Sequence, residues 1–297
     1  MPSASVSPSA SPAVRNPVGA HVPVAAKGLV GTGLACAAQL HAEAVQVFVA
    51  NPRGWATPAG QPAQDEAFRA ACAALRIPAY VHAPYLINFG TENPLTLERS
   101  VNSLRHSLRR GRAIGALGVV VHTGSATGGR PRQEALRQVR EHLLPLLDAE
   151  DGPWLLLEPT AGQGASLCSR IEELAAYADA LDRHPRVGVC LDTCHAFAAG
   201  HDLAAEGGVT EALDLLERTL GPGRLRLIHA NDSKDVCGAR KDRHENIGHG
   251  HIGAPAFAEL FRHPSTAGVP LVVETPDRSA GPGRGHAADI ALLKSLR

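Results

Sequence analysis

The chain has 297 residues, 44 % of them hydrophobic and only 4 % aromatic, with 29 basic and 29 acidic side chains. This is enough apolar material for one large core made mostly of Val, Leu, Ala and Ile, and α/β barrels use such lengths as a single domain. A net charge of zero excludes a whole-molecule cationic field for nucleic acid, so any DNA contact must rest on a local patch.

Residues 1–17, MPSASVSPSASPAVRNP, are rich in Ser, Pro and Ala and lack an apolar stretch. They are read as a disordered tail, not a secretory signal, and residues 18–297 as the folded domain. From Val18 onward one theme repeats: a β-rich run, a polar turn, then a longer Ala/Leu/Arg segment with helical spacing. Strands are expected at Gly19–Val24, Val45–Ala50, Ala79–His82, Gly118–His122, Trp154–Glu158, Val187–Asp192, Leu225–His229 and Pro270–Glu274. Helices are expected at Asp65–Leu75, Leu97–Leu117, Arg132–Leu147, Ile171–Asp182, Glu211–Leu220 and Ala256–Phe261.

Eight alternating units imply parallel strands with right-handed crossovers, closed into a (β/α)8 TIM barrel, an α/β fold of one domain. An open sheet is the alternative, but no glycine-rich phosphate loop follows the first strand. No segment has the length and apolarity of a membrane span, so no membrane partner is expected. The six cysteines form no CxxC pair and are read as free thiols in a reducing cytoplasm.

The last six strand-like runs each lead into residues that make good metal ligands: His82, His122, Glu158, Asp192, His195, His229, Asp242, His244 and Glu274. A polar residue just past a buried run is poorly placed for packing and well placed for a site at the mouth of a barrel. Asp192 could instead cap a helix, and a lone histidine after a strand is more often a hydrogen-bonded structural residue. Glu158 and Glu274 end the runs WLLL and PLVV, where a charge is costly unless paired or metal-bound. Five histidines and four carboxylates exceed the needs of one ion and suit a cluster of two or three. The mixed donors favour zinc over magnesium or calcium. Such clusters serve in-line displacement at phosphorus, so phosphodiester hydrolysis is the leading reaction class. The segment Arg224–Arg243 holds Arg224, Arg226, Lys234, Arg240, Lys241 and Arg243; with Asp242 on a metal its remaining charge is positive and suits phosphate contact, and surface solubility is the alternative reading.

These residues resemble the endonuclease IV family of apurinic/apyrimidinic endonucleases. The resemblance is carried by HAPYLINFGT from His82, VVHTGS from Val120, LEPTAGQG from Leu157 and CLDTCHAFAAGHDL from Cys190. It continues in HANDSKDVCGARKDRHENIGHGHIG from His229, VVETP from Val272, GAHVPVAAKGL from Gly19 and NPRGW from Asn51. It implies an eight-stranded barrel with three zinc ions: His82 and His122 on the first, Asp192, His229 and Glu274 on the second. Glu158 would bridge these two and hold the attacking hydroxide. His195, Asp242 and His244 would bind the third. The implied reaction is incision of double-stranded DNA 5′ to an abasic site, leaving a 3′-hydroxyl and a 5′-deoxyribose phosphate, together with repair of blocked 3′ ends. Arg53, Tyr85 and Leu86 match the positions that fill the gap left by the flipped nucleotide, although buried packing is an equal reading of Tyr85 and Leu86. A cytoplasmic monomer is expected. Pro159 departs from the family's usual Asn after the bridging Glu, which puts the surroundings of Glu158 in question. A metal-dependent sugar isomerase or epimerase, needing only Glu158, Asp192, His229 and Glu274 around one ion, is the rival. A non-catalytic lesion binder is a further one.

Overall fold

Eight parallel strands close into a barrel in the computed structural model, which describes residues 15–25, 27–149, 151–277 and 283–297. In chain order they begin with β1 (Val18–His21), β2 (Val45–Phe48), β3 (Ala79–His82) and β4 (Gly118–His122). Next come β5 (Trp154–Glu158), β6 (Val187–Asp192) and β7 (Leu225–His229). The loop after β7 carries a short antiparallel pair, β8 (Asp232–Ser233) and β9 (His244–Glu245). β10 (Leu271–Val273) then closes the ring between β7 and β1.

The helices are α1 (Ala35–Gln39), α2 (Pro62–Leu75), α3 (Pro94–Ala113), α4 (Arg132–Ala149), α5 (Leu174–Ala180), α6 (Thr193–Ala198), α7 (Gly208–Leu220), α8 (Ala254–Arg262) and α9 (His286–Leu296). The protein is thus a single-domain TIM barrel. No helix among the described residues is long and apolar enough to cross a membrane.

Local chemistry explains where the elements depart from expectation. β1 stops at His21, two residues before Pro23, which has no amide to donate to a neighbouring strand. The second helix-length segment was expected at Leu97–Leu117, but α3 starts three residues earlier and ends four earlier. Asn93 caps it by accepting from the Thr96 amide at 3.0 Å, and Pro94 occupies the first turn. Gly115, at φ +72°, ends it. Leu117 is then free to donate to Ala79 O at 2.8 Å as the lead-in to β4.

Asn16 and Pro17, within the tail expected over residues 1–17, make contacts with the barrel. Asn16 is buried, its side-chain amide donates to Thr266 O and, at 2.8 Å, to Val269 O, and Pro17 O accepts from Leu271 N at 2.8 Å. Residues 1–14 lie outside the described residues.

The barrel interior positions the site by simple alternation. Ala44, Tyr80, Val120, Leu156, Cys190, Leu227 and Val272 form one buried inner cluster. Side chains two residues apart share a strand face. Two residues further along the same chain lie Gln46, His82, His122, Glu158, Asp192, His229 and Glu274. An apolar plug therefore sits beneath a polar ring, each fully buried Leu or Val contributing about 1.5–3 kcal/mol. Tyr80 has room in the interior because a neighbour is minimal: a Cβ on Gly118 would lie 3.2 Å from Tyr80 Cδ1 and 2.7 Å from Leu156 Cδ1.

Candidate metal centre

All nine residues expected as ligands converge at the C-terminal mouth of the barrel. Ligand atoms of His82, His122 and Glu158 lie within 4.8 Å of one another, as do those of Glu158, Asp192, His229 and Glu274. Glu158 belongs to both groups. A third group joins Asp192, His195 and His244. Asp242 completes it, its Oδ1 lying 3.3 Å from His195 Nε2 and 3.1 Å from His244 Nε2. Burial is graded across the cluster. Glu158 and His229 are inaccessible, whereas the Asp242 side chain is 39 % exposed, so the site opens towards the third group.

The histidine contacts show why these residues fit cations. His82 Nδ1 donates to Ala83 O at 2.7 Å, His195 Nδ1 to Pro159 O at 3.1 Å, and His244 Nδ1 to Glu274 O at 3.2 Å. His229 Nε2 donates to Gln46 Oε1 at 2.9 Å. These partners fix the tautomer, leaving the second nitrogen of each neutral ring as a lone pair. Each of those nitrogens faces carboxylates: His82 Nε2 lies 3.2 Å from Glu158, and His229 Nδ1 lies 3.1 and 3.2 Å from Glu158 and Glu274. His244 Nε2 is buried without a hydrogen-bond partner. Lone pairs facing carboxylates repel unless a proton or a metal ion lies between them, and one nitrogen on a carbonyl with the other on a cation is the usual arrangement at metal sites.

The titration behaviour has the same cause. Burial disfavours charge on Glu158, but the charges of His229 and His122 and hydrogen bonds from His122 and His195 outweigh it. Its carboxyl stays well below the usual carboxylate range. Glu274 is depressed likewise: burial opposes the shift and His229, His21 and His82 drive it. In His244 burial works against protonation, yet Asp192 and Asp242 raise its pKa to about 9. His195 and His229 are raised well above the ordinary value, burial being outweighed by Asp192, Asp242 and Glu158 at His195 and by Cys190, Glu274 and Glu158 at His229.

Asp192 is both a helix cap and a member of the cluster. One oxygen accepts from the His195 amide at 2.9 Å and starts α6, while the other faces Asn231 Nδ2 at 2.7 Å and His244 Nε2 at 3.5 Å. The carbonyl of Pro159 holds the His195 ring, so the missing amide of this residue costs that contact nothing.

Arg53, Tyr85 and Leu86 gather at the rim. All three are exposed, Tyr85 at 45 % and Leu86 at 37 %, so neither of the latter two is a fully buried core residue. The Tyr85 amide donates to Pro52 O at 3.0 Å, tying the two loops together. The Tyr85 ring stands 5.2 Å from that of His82 and 5.5 Å from that of His122. The basic stretch is split by the fold. Arg224 and Arg226 lie at the opposite end of the barrel, Arg224 on backbone carbonyls and Arg226 over the Trp154 ring at 3.9 Å. Lys234, Arg240, Lys241 and Arg243 remain exposed on the loop over the mouth.

Sequence reasoning missed three polar partners. Gln46 Nε2 donates to Glu274 Oε1 at 2.7 Å, and His21 Nδ1 lies 3.0 Å from the same oxygen. Asn231 joins Asp192 to the Glu274 amide, at 2.7 and 2.8 Å. His21 is the last residue of β1, so the strand-end rule applied to that strand would have found it, whereas Gln46 is the second residue of β2 and lies outside the rule.

The family model described as a xylose isomerase-like TIM barrel matches residues 34–296. A probable endonuclease 4 of Streptomyces coelicolor is 69 % identical over 99 % of both chains, and one of Nitratidesulfovibrio vulgaris is 38 % identical over 94 % of this chain and 97 % of its own. The crystal structure of endonuclease IV from Thermus thermophilus superposes with a TM-score of 0.81 at 36 % identity, covering 94 % of this chain and 98 % of that one. A D-tagatose 3-epimerase-like protein shares the fold alone, at 18 % identity and a TM-score of 0.68. Sequence, barrel and strand-end cluster lead to one assignment: the chain belongs to the endonuclease IV family of apurinic/apyrimidinic endonucleases.

Proposed function

We propose that the protein is a zinc-dependent repair nuclease that hydrolyses the phosphodiester 5′ to abasic sites in double-stranded DNA. The products are a 3′-hydroxyl and a 5′-deoxyribose phosphate, and blocked 3′ ends are a second substrate. The observation that carries this reading is the sharing of buried Glu158 between two ligand groups with a third group beside them. In this reading His82 and His122 hold one ion, Asp192, His229 and Glu274 a second, with Glu158 across both. His195, Asp242 and His244 hold the third. Zinc in such a cluster lowers the pKa of the attacking water and neutralises charge on the phosphoryl oxygens.

The remaining tasks belong to the chain's own groups. The carbonyls of Ala83, Pro159 and Glu274 and the amide oxygen of Gln46 orient the ligand rings. Burial and the charges of Glu274 and Glu158 push the Tyr85 hydroxyl pKa up, so it stays a hydrogen-bond donor at neutral pH. Tyr85 and Leu86 wedge into the gap left by a flipped abasic nucleotide, and Arg53 and the exposed lysines and arginines of the 234–243 loop meet phosphates. A DNA substrate supports a cytoplasmic location, and one chain supplies every residue of the cluster, in keeping with a monomer. The isomerase reading leaves His82, His122, His195, Asp242 and His244 without a task.

The test is a duplex with one synthetic abasic site, incubated with protein of measured metal content, before and after chelation. Three zinc ions per chain and chelator-sensitive cleavage 5′ to the lesion are expected. One ion and no cleavage would return the protein to the isomerases. Tyr85→Ala is expected to keep its metal and bind abasic DNA about 10- to 100-fold more weakly, the scale of one lost stacking contact. Loss of zinc in this variant would overturn the wedge assignment.

A further inference from the structure

Asp289, on α9, is buried at 1 % exposure and is none of the residues assigned above. Its neighbours on the inner face of that helix, Ile290 and Leu293, are apolar core residues, so packing alone calls for another aliphatic side chain. Its carboxyl oxygens are instead filled by three donors from two separate segments. Oδ1 accepts from the Ile247 amide at 2.9 Å. Oδ2 accepts from Asn246 Nδ2 at 2.8 Å and from the Thr275 hydroxyl. Asn246 Nδ2 also donates to Pro276 O at 3.0 Å, joining the two segments directly.

Those segments carry ligand residues of different groups. Thr275 follows Glu274, which lies just past the end of β10. Asn246 stands two residues beyond His244, on the two-residue strand β9. Neither has a long ladder of its own to fix it. At the site the two arms meet again, where His244 Nδ1 donates to Glu274 O at 3.2 Å. We propose that Asp289 is a positioning residue that sets Glu274 and His244 in register and so couples the second and third ion sites. This rests on the reading of Glu274 and His244 as zinc ligands.

The experiment measures zinc stoichiometry and stepwise affinity by chelator competition, without DNA. Asp289→Asn is nearly isosteric but, in either amide orientation, turns an NH2 towards at least one of the three donors. It is expected to fold and to hold the third zinc about 10- to 100-fold more weakly, as loss of a ligand-orienting partner does. Its kcat should fall with KM for abasic DNA unchanged, and excess zinc should restore kcat. Leu293→Ala, on the same helix, should lower Tm while leaving every zinc affinity at the wild-type value. Unchanged affinities in Asp289→Asn, or an equal loss in Leu293→Ala, would overturn the proposal. Should Asp289→Asn not fold, Thr275→Val removes one of the three donors and should weaken zinc beside Glu274. Wild-type affinity there is the overturning result. Wild-type protein holding fewer than three ions would overturn the ligand reading instead.

Discussion

Asp192 shows how one side chain answers two readings that sequence alone sets against each other. Its Oδ1 caps α6 and its Oδ2 faces the ligand cluster, so the capping and ligand roles use different atoms. Asn is as good a helix cap as Asp but is neutral. Asp192→Asn should therefore keep the cap of α6, lower the Tm of the metal-free protein because Asn231 and the raised His244 lose their buried carboxylate partner, and weaken zinc binding at least tenfold. Unchanged zinc affinity in this variant would remove Asp192 from the ligand set. Pro159 is another residue whose effect depends on which backbone atom is used. Proline removes the amide and keeps the carbonyl, and here the carbonyl holds His195.

Among the elements, the strands were legible, and the loop over the mouth was legible only through Asp242 and His244. Ligand residues such as Glu158 and His229 could be read because each interrupts an apolar run at a fixed place, two residues beyond an inner-layer side chain. Gln46 was hidden because its partners, His229 and Glu274, lie 183 and 228 residues away in sequence. The six-residue α6 was hidden by its length, since less than two turns leave no periodicity to detect. The connection from Ala230 to Ala254 is readable as a functional loop through Asp242 and His244, but nothing in its sequence shows that it is organised around Asp232. That fully buried carboxylate accepts from the amides of Ser233, Gly248, Gly250, Ile252 and Gly253. Gly250 is required by proximity: a Cβ there would sit 2.4 Å from both Asp232 Oδ1 and Ser233 O. Gly250→Ala should displace the loop and cost about 1–3 kcal/mol of stability. It should also loosen the third ion, read as a lower Tm together with easier zinc loss to a chelator. A variant with wild-type zinc retention would separate the loop from the third group.

Across the whole molecule, folding, protonation and metal uptake are linked. With His244 titrating at about 9 and His195 and His229 also raised, the metal-free cluster holds protons at pH 7 that zinc must displace. Zinc uptake at pH 7 should therefore release at least one proton per chain, detectable with an indicator dye in weak buffer. The share of the release that comes from His244 should fade above pH 9, and zinc affinity should rise with pH up to that point. Uptake without proton release would contradict the raised pKa values. Because the native state binds zinc through residues from six barrel strands, free zinc at 100 times its Kd should add about 2.7 kcal/mol of stability, visible as a zinc-dependent Tm. At the opposite end of the barrel, Arg297 donates to Asn16 O at 2.6 Å and pairs with Glu43, so residue 16 and residue 297 are side by side, far from the mouth. A short peptide could join them and new ends be cut at the Gly221–Gly223 turn between α7 and β7, giving a circular permutant whose ring of ligands is unbroken. Such a chain makes the order in which strands leave the ribosome an experimental variable, with DNA incision as the reporter of whether the barrel still closes.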